Sequence, residues 1–438
     1  MNTESSLKAT DQPVGVYIGW DWADKKHDVC LRLPGQKSGD HKIIDNTPEA
    51  VHGFLKDIHT QFPRQQIVLA IESSRSALLP IFEQYASWLT LYSINPATAA
   101  KYREVFHPSK VKTDALDCSL LADIVIAHPD KLFIHIPQDA QTLEIETMVE
   151  DRRKLVDRRT AIANELKSRL KSYFPQALDF ISDATTHPFA AAFLLKWACL
   201  EALQKSKPQD IRRFYRANRR QLTEKLQALL VQLPTFQSPS QKTCRIEPAV
   251  FFVQILSKEL DCLHTAISAY DKRIAVRVSE HPTLPLIESL PGAGATLQAR
   301  LVAVLGRPDA LQASGNSPYR NADDLAILTG IAPVVRRSGK SSVTLCRKAF
   351  SHFSHQTFME FSKQSIVFGQ WANAYHQFKE SQGWKYWRIV RALAYKWIRI
   401  LVAVLKSGIA YDEALYVKQL REKNCPYMNA FGCKTATS

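Results

Sequence analysis

In the stretch KVKTDALDCSLLADIV, residues 110–125, two carboxylates, Asp114 and Asp117, stand three apart in what otherwise reads as an apolar-faced helix. Residues three apart on a helix are neighbours, so the two acids repel each other unless a positive charge lies between them. Two further acids take comparable positions: Asp21 closes the alternating run VGVYIGWD, and Glu72 follows five consecutive apolar residues, 67–71. Side chains at the ends of buried strands converge at a sheet edge, where α/β domains bind ligands. Carboxylate oxygens suit Mg²⁺, and two such ions about 4 Å apart can clamp the attacking and leaving oxygens of a phosphodiester. The bland alternative makes Asp114 a helix cap near Thr113 and leaves Asp117 solvated. Asp21 and Glu72 in register weigh against it.

The elements that must position these acids are legible around them. VGVYIGWDWA, HDVCLRL and HKIID read as three short strands of a meander, the first with Val14, Val16, Ile18 and Trp20 on one face and Asp21 on the other. Thr47 and Pro48 are a helix start. QIVLAIES is an apolar run of the length of a buried strand. SALLPIFEQYASW then reads as a helix, LTLYSIN as a strand, and ATAAKYREVF and the 110–125 stretch as helices. Three strands followed by alternating strand and helix predict an α/β domain over residues 13–135.

"YIGWDWADKKHDVC", "IES", "INPATAAKYRE" and "KTDALDCSLLAD" resemble the RuvC-like, ribonuclease H-type catalytic domain of the DEDD insertion-sequence transposases, the family that includes Piv-type DNA invertases and bridge-RNA-guided serine recombinases. The resemblance implies that Asp21, Glu72, Asp114 and Asp117 bind catalytic Mg²⁺, with Mn²⁺ as a substitute. After the glutamate many relatives continue Ala-Thr-Gly, where this chain has Ser73, Ser74 and Arg75.

Bulk properties fit a partner of negative charge. The 438 residues call for two or three domains, and 45% hydrophobic with 23% charged residues is a globular composition. A net charge of +15 favours polyanions, nucleic acid ahead of membrane. The polar start MNTESSLKATDQP, residues 1–12 of which read as a disordered tail, has no secretory h-region, and the apolar run 400–405 is too short to span a bilayer. Eight cysteines without CxxC spacing read as reduced thiols of a cytoplasmic protein, and His352 with His355 lacks spaced partners for zinc.

Residues 140–282 read as a helical coiled-coil region. Val253, Leu256, Leu260, Leu263, Ile267, Tyr270 and Ile274 alternate steps of three and four, a coiled-coil seam. The residues leave open whether it pairs within the chain or between subunits; the resemblance implies dimerisation. Shorter relatives have little between the two long helices, so residues 176–245 read as an insertion. It holds KSKPQDIRRFYRANRRQ, in which Arg212, Arg213, Arg216, Arg219 and Arg220 could grip phosphates while Phe214 and Tyr215 stack on unpaired bases. A solvated charged face is the alternative.

Residues 283–412 open with SLPGAGATLQARLVAVLG, where Gly292 and Gly294 let the chain turn tightly into a helix whose free amides can meet a phosphate. "RNADDLAILTGIAPVVRRSGKSS" and "VRALAYKWIRILVAVLKSGIAYD" resemble the mainly helical C-terminal transposase domain of the same family, in whose guided members the serine before glycine is the nucleophile; the matching residue is Ser338. The flanking Arg336, Arg337 and Lys340 would stabilise a pentavalent phosphoryl group, as Lys110 and Lys112 would contact nucleic acid beside the acids. Serine attack keeps the phosphodiester energy in a protein–DNA ester, so strands can be resealed without ATP. The alternative makes Ser338 part of a basic loop touching DNA backbone. Trp384, Lys385, Tyr386, Trp387, Arg388, Arg391, Lys396, Trp397 and Arg399 interleave aromatic and basic residues on a further helix. Residues 413–438 read as a tail.

The resulting expectation is a multidomain α/β plus all-α protein: a transposase or site-specific recombinase that cuts and rejoins donor and target DNA through a phosphoserine. The resemblance further implies a structured bridge RNA, assembly as dimer or tetramer, and a prokaryotic, nucleoid-associated setting. Two rivals stand beside it. A junction-resolving nuclease would use the acids with water, and a non-catalytic nucleic-acid-binding protein would use only the basic surfaces.

Overall fold

The computed structural model describes residues 13–72, 78–106, 113–132, 134–182, 184–221, 223–240, 242–308, 311, 319, 321–338, 341–347 and 350–430. The expected tail at 1–12 lies outside them. Two compact units form: one holds the described residues up to Thr142, Pro282–Ala293 and those from Val304 onward, the other Leu143–His281 and Gly294–Ala303.

The first unit opens with a five-stranded sheet: β1 (Val14–Asp21), β2 (Lys26–Arg32), β3 (Asp40–Asp45), β4 (Gln66–Glu72) and β5 (Leu89–Ile94). Strand order is β3-β2-β1-β4-β5, with the first three antiparallel and β1, β4 and β5 parallel, the mixed sheet of a ribonuclease H-like domain. Period-two alternation assigns the faces. Val16, Ile18 and Trp20 of β1 with Ile67, Leu69 and Ile71 of β4 form a core under α1 (Pro48–Gln61) and α2 (Leu79–Glu83). Val68, Ala70, Tyr92 and Ile94 face the other way, against α3 (Pro96–Phe106) and α4 (Asp114–Ala127). Both long strand-flanking helices start where threonine caps them: Thr47 Oγ1 accepts from Ala50 N at 3.2 Å, and Thr113 Oγ1 from Leu116 N at 3.4 Å.

In the second unit α5 (Ala140–Tyr173) and α11 (Thr243–Ser279) pair as an antiparallel hairpin. Arg277 meets Glu144 at 3.1 Å, Arg152 meets Asp271 at 2.5 Å, and the Arg169 guanidinium lies 5.0 Å from the Phe252 ring. As one number falls the other rises, which fixes the direction. Val253, Leu256, Leu260, Ile267 and Ile274 of the expected seam are buried within the chain. Between them lie α6 (Gln176–Ile181), α7 (Pro188–Lys196), α8 (Leu200–Gln204), α9 (Pro208–Ala217) and α10 (Glu224–Gln232), which share one apolar core with Leu166, Leu170, Val253, Leu256 and Leu260.

The rest of the first unit is helical apart from one hairpin. Beyond α12 (Leu284–Ile287) and α13 (Ala295–Leu305), the latter belonging mostly to the second unit, come α14 (Ala322–Leu328), the two-stranded hairpin β6 (Val334–Ser338) and β7 (Ser341–Leu345), then α15 (His352–Phe368), α16 (Gln370–Ser381) and α17 (Tyr386–Ser407). Trp371 and Trp397 stand 4.9 Å apart in the core, their indole N–H groups donating to Tyr411 Oη and Ser365 Oγ, both at 2.8 Å. The expected tail from 413 is corrected for its described part. Residues Glu413–Glu422 and Pro426–Ala430 form α18 and α19, which bury Val417, Leu420, Tyr427 and Met428. Their apolar spacing was too short to stand out without the partner face. No helix among the described residues is long and apolar enough to cross a membrane.

Candidate active site

Asp21 and Glu72 come together through strand register. β1 and β4 are parallel with Trp20 beside Ile71, so the next residues, Asp21 and Glu72, are neighbours at the same sheet edge. Alternation puts both on the face opposite the Trp20 core, the face that α4 covers. Gly19, two residues before Asp21, lets α4 approach: a β-carbon there would overlap the carbonyl of Cys118 and crowd Ala122 N at 2.9 Å. The first turn of α4, carrying Asp114 and Asp117, is therefore laid against the end of β1. Arg32 of β2 locks it in place through an ion pair with Asp123 and a 3.0 Å hydrogen bond to Ser119 Oγ.

The electrostatics register the convergence. Partial burial, then the charges of Asp117, Glu72, Asp114 and Asp28 in that order, push the Asp21 carboxyl up to about 6. Asp21 thus lies within the field of the other three sequence-predicted acids. Asp114 is exposed, Asp21 and Glu72 are half-buried, and Asp117 is only 6% exposed.

Three contributors escaped sequence reasoning. Arg103 of α3 places Nη2 2.7 Å from Asp117 Oδ1, a charge contact off the hydrogen-bond line, since neither Asp117 Oδ1 nor Arg103 Nε has an aligned partner. Asp28, opposite Asp21 on β2, is held by His41 Nε2 at 2.6 Å. Gly19 is the third, and its signal was in the sequence: a glycine inside a strand otherwise built of bulky residues. Arg103 and Asp28 have no comparable signal, because a charged residue on a helix or an outer strand ordinarily faces water.

The donor set fits a hard divalent cation, being carboxylate oxygen throughout and carrying repulsion that a cation would relieve. Among the described residues, no three His, Cys, Asp or Glu side chains are drawn close enough to hold one ion between them, and Arg103 occupies the place of a counter-charge on Asp117.

Ser338 is exposed at the end of β6, paired across the hairpin with Ser341. It sits in an ordered strand where the sequence allowed a basic loop. Among the described residues no hydrogen bond or charge interaction links it to the four acids. Arg336 and Arg337 occupy strand positions opposite Val343 and Ser342, and Lys110, Lys112 and Lys340 lie outside the described residues.

Gly292 has φ of 78°, and a β-carbon there would come 3.0 Å from the Gln364 backbone, so its glycine is already required by packing; Gly294 faces open space before α13. Arg212, Arg213 and Arg216 on α9 are exposed, as is Arg219 just beyond its end, while Arg220 lies 5.4 Å from the Phe189 ring. The expected base-stacking role of the neighbouring rings is corrected. Tyr215 is buried with its hydroxyl donating to Phe180 O at 2.5 Å, and Phe214 packs on Trp197 at 4.9 Å and lies under Lys196. Helical spacing that put the arginines outward put these rings into the core.

The ribonuclease H-like sheet and its acidic edge define the class: a family model described as "Transposase" matches residues 18–175, and this is an enzyme of DNA strand transfer. A second model, described as "Transposase IS116/IS110/IS902 family", matches residues 284–377. Together the two cover more than half of the chain, which belongs to the IS110/IS116 transposase family. From Streptomyces coelicolor, a mini-circle protein named as a candidate transposase for IS117 is 25% identical over 74% of this chain and 78% of its own. The 43.6 kDa insertion element IS110 protein of the same species is 22% identical over 92% and 97%. A 42 kDa protein of insertion element IS900 from Mycobacterium paratuberculosis is 27% identical over 69% and 73%.

Proposed function

We propose that this transposase breaks and rejoins DNA through a covalent ester on Ser338, with Asp21, Glu72, Asp114 and Asp117 as the holders of divalent cations. The observation that carries the reading is the Asp21 carboxyl, which feels Asp117, Glu72 and Asp114 at once at the open end of β1. Bound Mg²⁺ or Mn²⁺ would supply Lewis-acid polarisation of the scissile phosphate. The chain's own residues do the rest. Ser338 Oγ gives its proton to solvent base and forms a bond to phosphorus; the P–O bond to one sugar breaks, and that oxygen takes up a proton. The reverse step, with a new sugar hydroxyl attacking, restores the serine and seals the strand. Arg336, Arg337 and Lys340 are placed in sequence to neutralise the phosphate during both steps.

A bridge RNA as guide to donor and target DNA, an assembly of two to four subunits in which acids and serine meet, and a place at the bacterial nucleoid belong to the same reading. The exposed arginines of α9 and the turn at Gly292 and Gly294 are its further nucleic-acid contacts. A hydrolytic nuclease is the second reading, favoured by the lack of any interaction between Ser338 and the acids among the described residues. Strand joining on a supercoiled donor–target pair separates the two: Ser338→Ala should abolish joined product, and a variant that still cuts at the wild-type rate would favour hydrolysis. RNA copurified with the protein and required for joining supports the guide; joining by RNA-free protein would exclude it.

A further inference from the structure

The first turn of α17 breaks the burial pattern that the rest of the helix obeys. Ile389, Val390, Leu393, Ala394, Trp397, Ile398 and Leu401 form its buried stripe. Trp387 lies on the outer face and is 62% exposed, between the exposed Lys385, Tyr386 and Arg388. A tryptophan gains little for folding there, since most of its surface stays in water.

The ring is nevertheless held. Tyr386 stands edge-on to Trp387 at 5.2 Å and itself meets the His376 ring at 5.7 Å. Beside them the Arg388 guanidinium lies 4.0 Å and the Lys379 ammonium 4.6 Å from the Trp384 ring, so the cations are gathered on the aromatic surface. One acid, Glu380, 3.8 Å from His376 Nδ1, stands among the cations Lys379, Lys385 and Arg388. One helical turn beyond Trp387, Arg391 Nη1 lies 2.6 Å from Cys346 Sγ, the residue that follows β7. The patch therefore stands one turn from the base of the hairpin whose other strand ends in Ser338.

We infer that Trp387, supported by Tyr386 and flanked by Lys385 and Arg388, is a stacking platform for an unpaired nucleotide of a polynucleotide. Every nucleobase offers a π-face and a duplex hides it, so an exposed indole selects unpaired strand without reading sequence, while adjacent cations take the phosphates. A protein partner would want apolar neighbours around the ring, and here they are charged. The inference rests on the nucleic-acid reading given above and adds a subsite to it; DNA and RNA offer the same chemistry.

The test uses the full chain with labelled oligothymidylate, oligouridylate and a DNA duplex. Trp387→Ala should weaken one or both single strands about tenfold with less than about a twofold change for duplex, and Trp387→Phe should recover most of the loss. A loss confined to oligouridylate assigns the platform to RNA, one confined to oligothymidylate to DNA. Unchanged single-strand binding by Trp387→Ala in a protein that still binds duplex overturns the platform alone. Wild-type protein that binds none of the three overturns the proposed function and the platform with it.

Discussion

Arg103 Nη2 lies 2.7 Å from Asp117 Oδ1, so an arginine from α3 neutralises the most buried of the four clustered acids. A cation drawn to that carboxylate must compete with it. Arg103→Ala should therefore destabilise the metal-free protein by about 2 kcal/mol, by leaving a buried charge unpaired beside a partly exposed partner. Added Mg²⁺ should return more stability to the variant than to wild type. Thermal melts with and without Mg²⁺ decide the matter; equal gains in both proteins would show that Arg103 and the ion do not share Asp117.

The Asp21 carboxyl, pushed up to about 6 by burial and by its acidic neighbours, sets a pH dependence. Its folded-state affinity for a proton exceeds the unfolded one, so its stabilising contribution is full at low pH and is lost as pH rises from about 4 through 6. Solvent screening of a half-exposed group limits the loss to roughly 1–2 kcal/mol. Denaturation without divalent ions should show this decline in wild type and not in Asp21→Asn, and Mg²⁺ should suppress it. A wild-type profile flat across that window, parallel to Asp21→Asn, would contradict the convergence of charges on Asp21.

Gly19 admits the backbone of α4 to the sheet. Gly19→Ala should cost about 1–3 kcal/mol by overpacking and weaken cation binding, because it displaces the turn that carries Asp114 and Asp117. Isothermal titration with Mn²⁺ alongside urea denaturation measures both. Full cation affinity in Gly19→Ala would show that the helix position does not matter to the site.

Much of this site was readable from the chain and the unread parts have a common cause. Alternation in VGVYIGWD and the apolar run before Glu72 place two acids on one sheet edge, and KTDALD places two more on one helix face. Arg103 and Asp28 act through partners distant in sequence, on elements whose own patterns only mark them as polar. The same limit explains Phe214 and Tyr215: an aromatic among arginines looks like a nucleic-acid surface until the core formed by Phe180, Phe189 and Phe193 is known. The coiled-coil seam was plain in its spacing, but nothing in that spacing marks the ion pairs along the chain, Glu144 with Arg277 and Asp271 with Arg152.

The two populations on α9 give opposite outcomes. Tyr215→Phe removes the hydrogen bond to Phe180 O and should cost about 1 kcal/mol of stability with nucleic-acid affinity unchanged. Arg212→Gln with Arg216→Gln should leave stability within about 0.5 kcal/mol and lower affinity for DNA or RNA, with a shallower salt dependence. Affinity and salt slope equal to wild type in the double variant would assign that face to solvent.

Whether a serine joins to DNA is the most direct test of the proposed chemistry. Wild-type protein with Mg²⁺ and a nicked donor that prevents resealing should give a denaturation-resistant adduct, and mass spectrometry of its peptides should place the nucleotide on Ser338. That adduct should vanish with Ser338→Ala and with Asp114→Ala alike. Cleaved DNA bearing no protein, produced equally by wild type and Ser338→Ala, would contradict it.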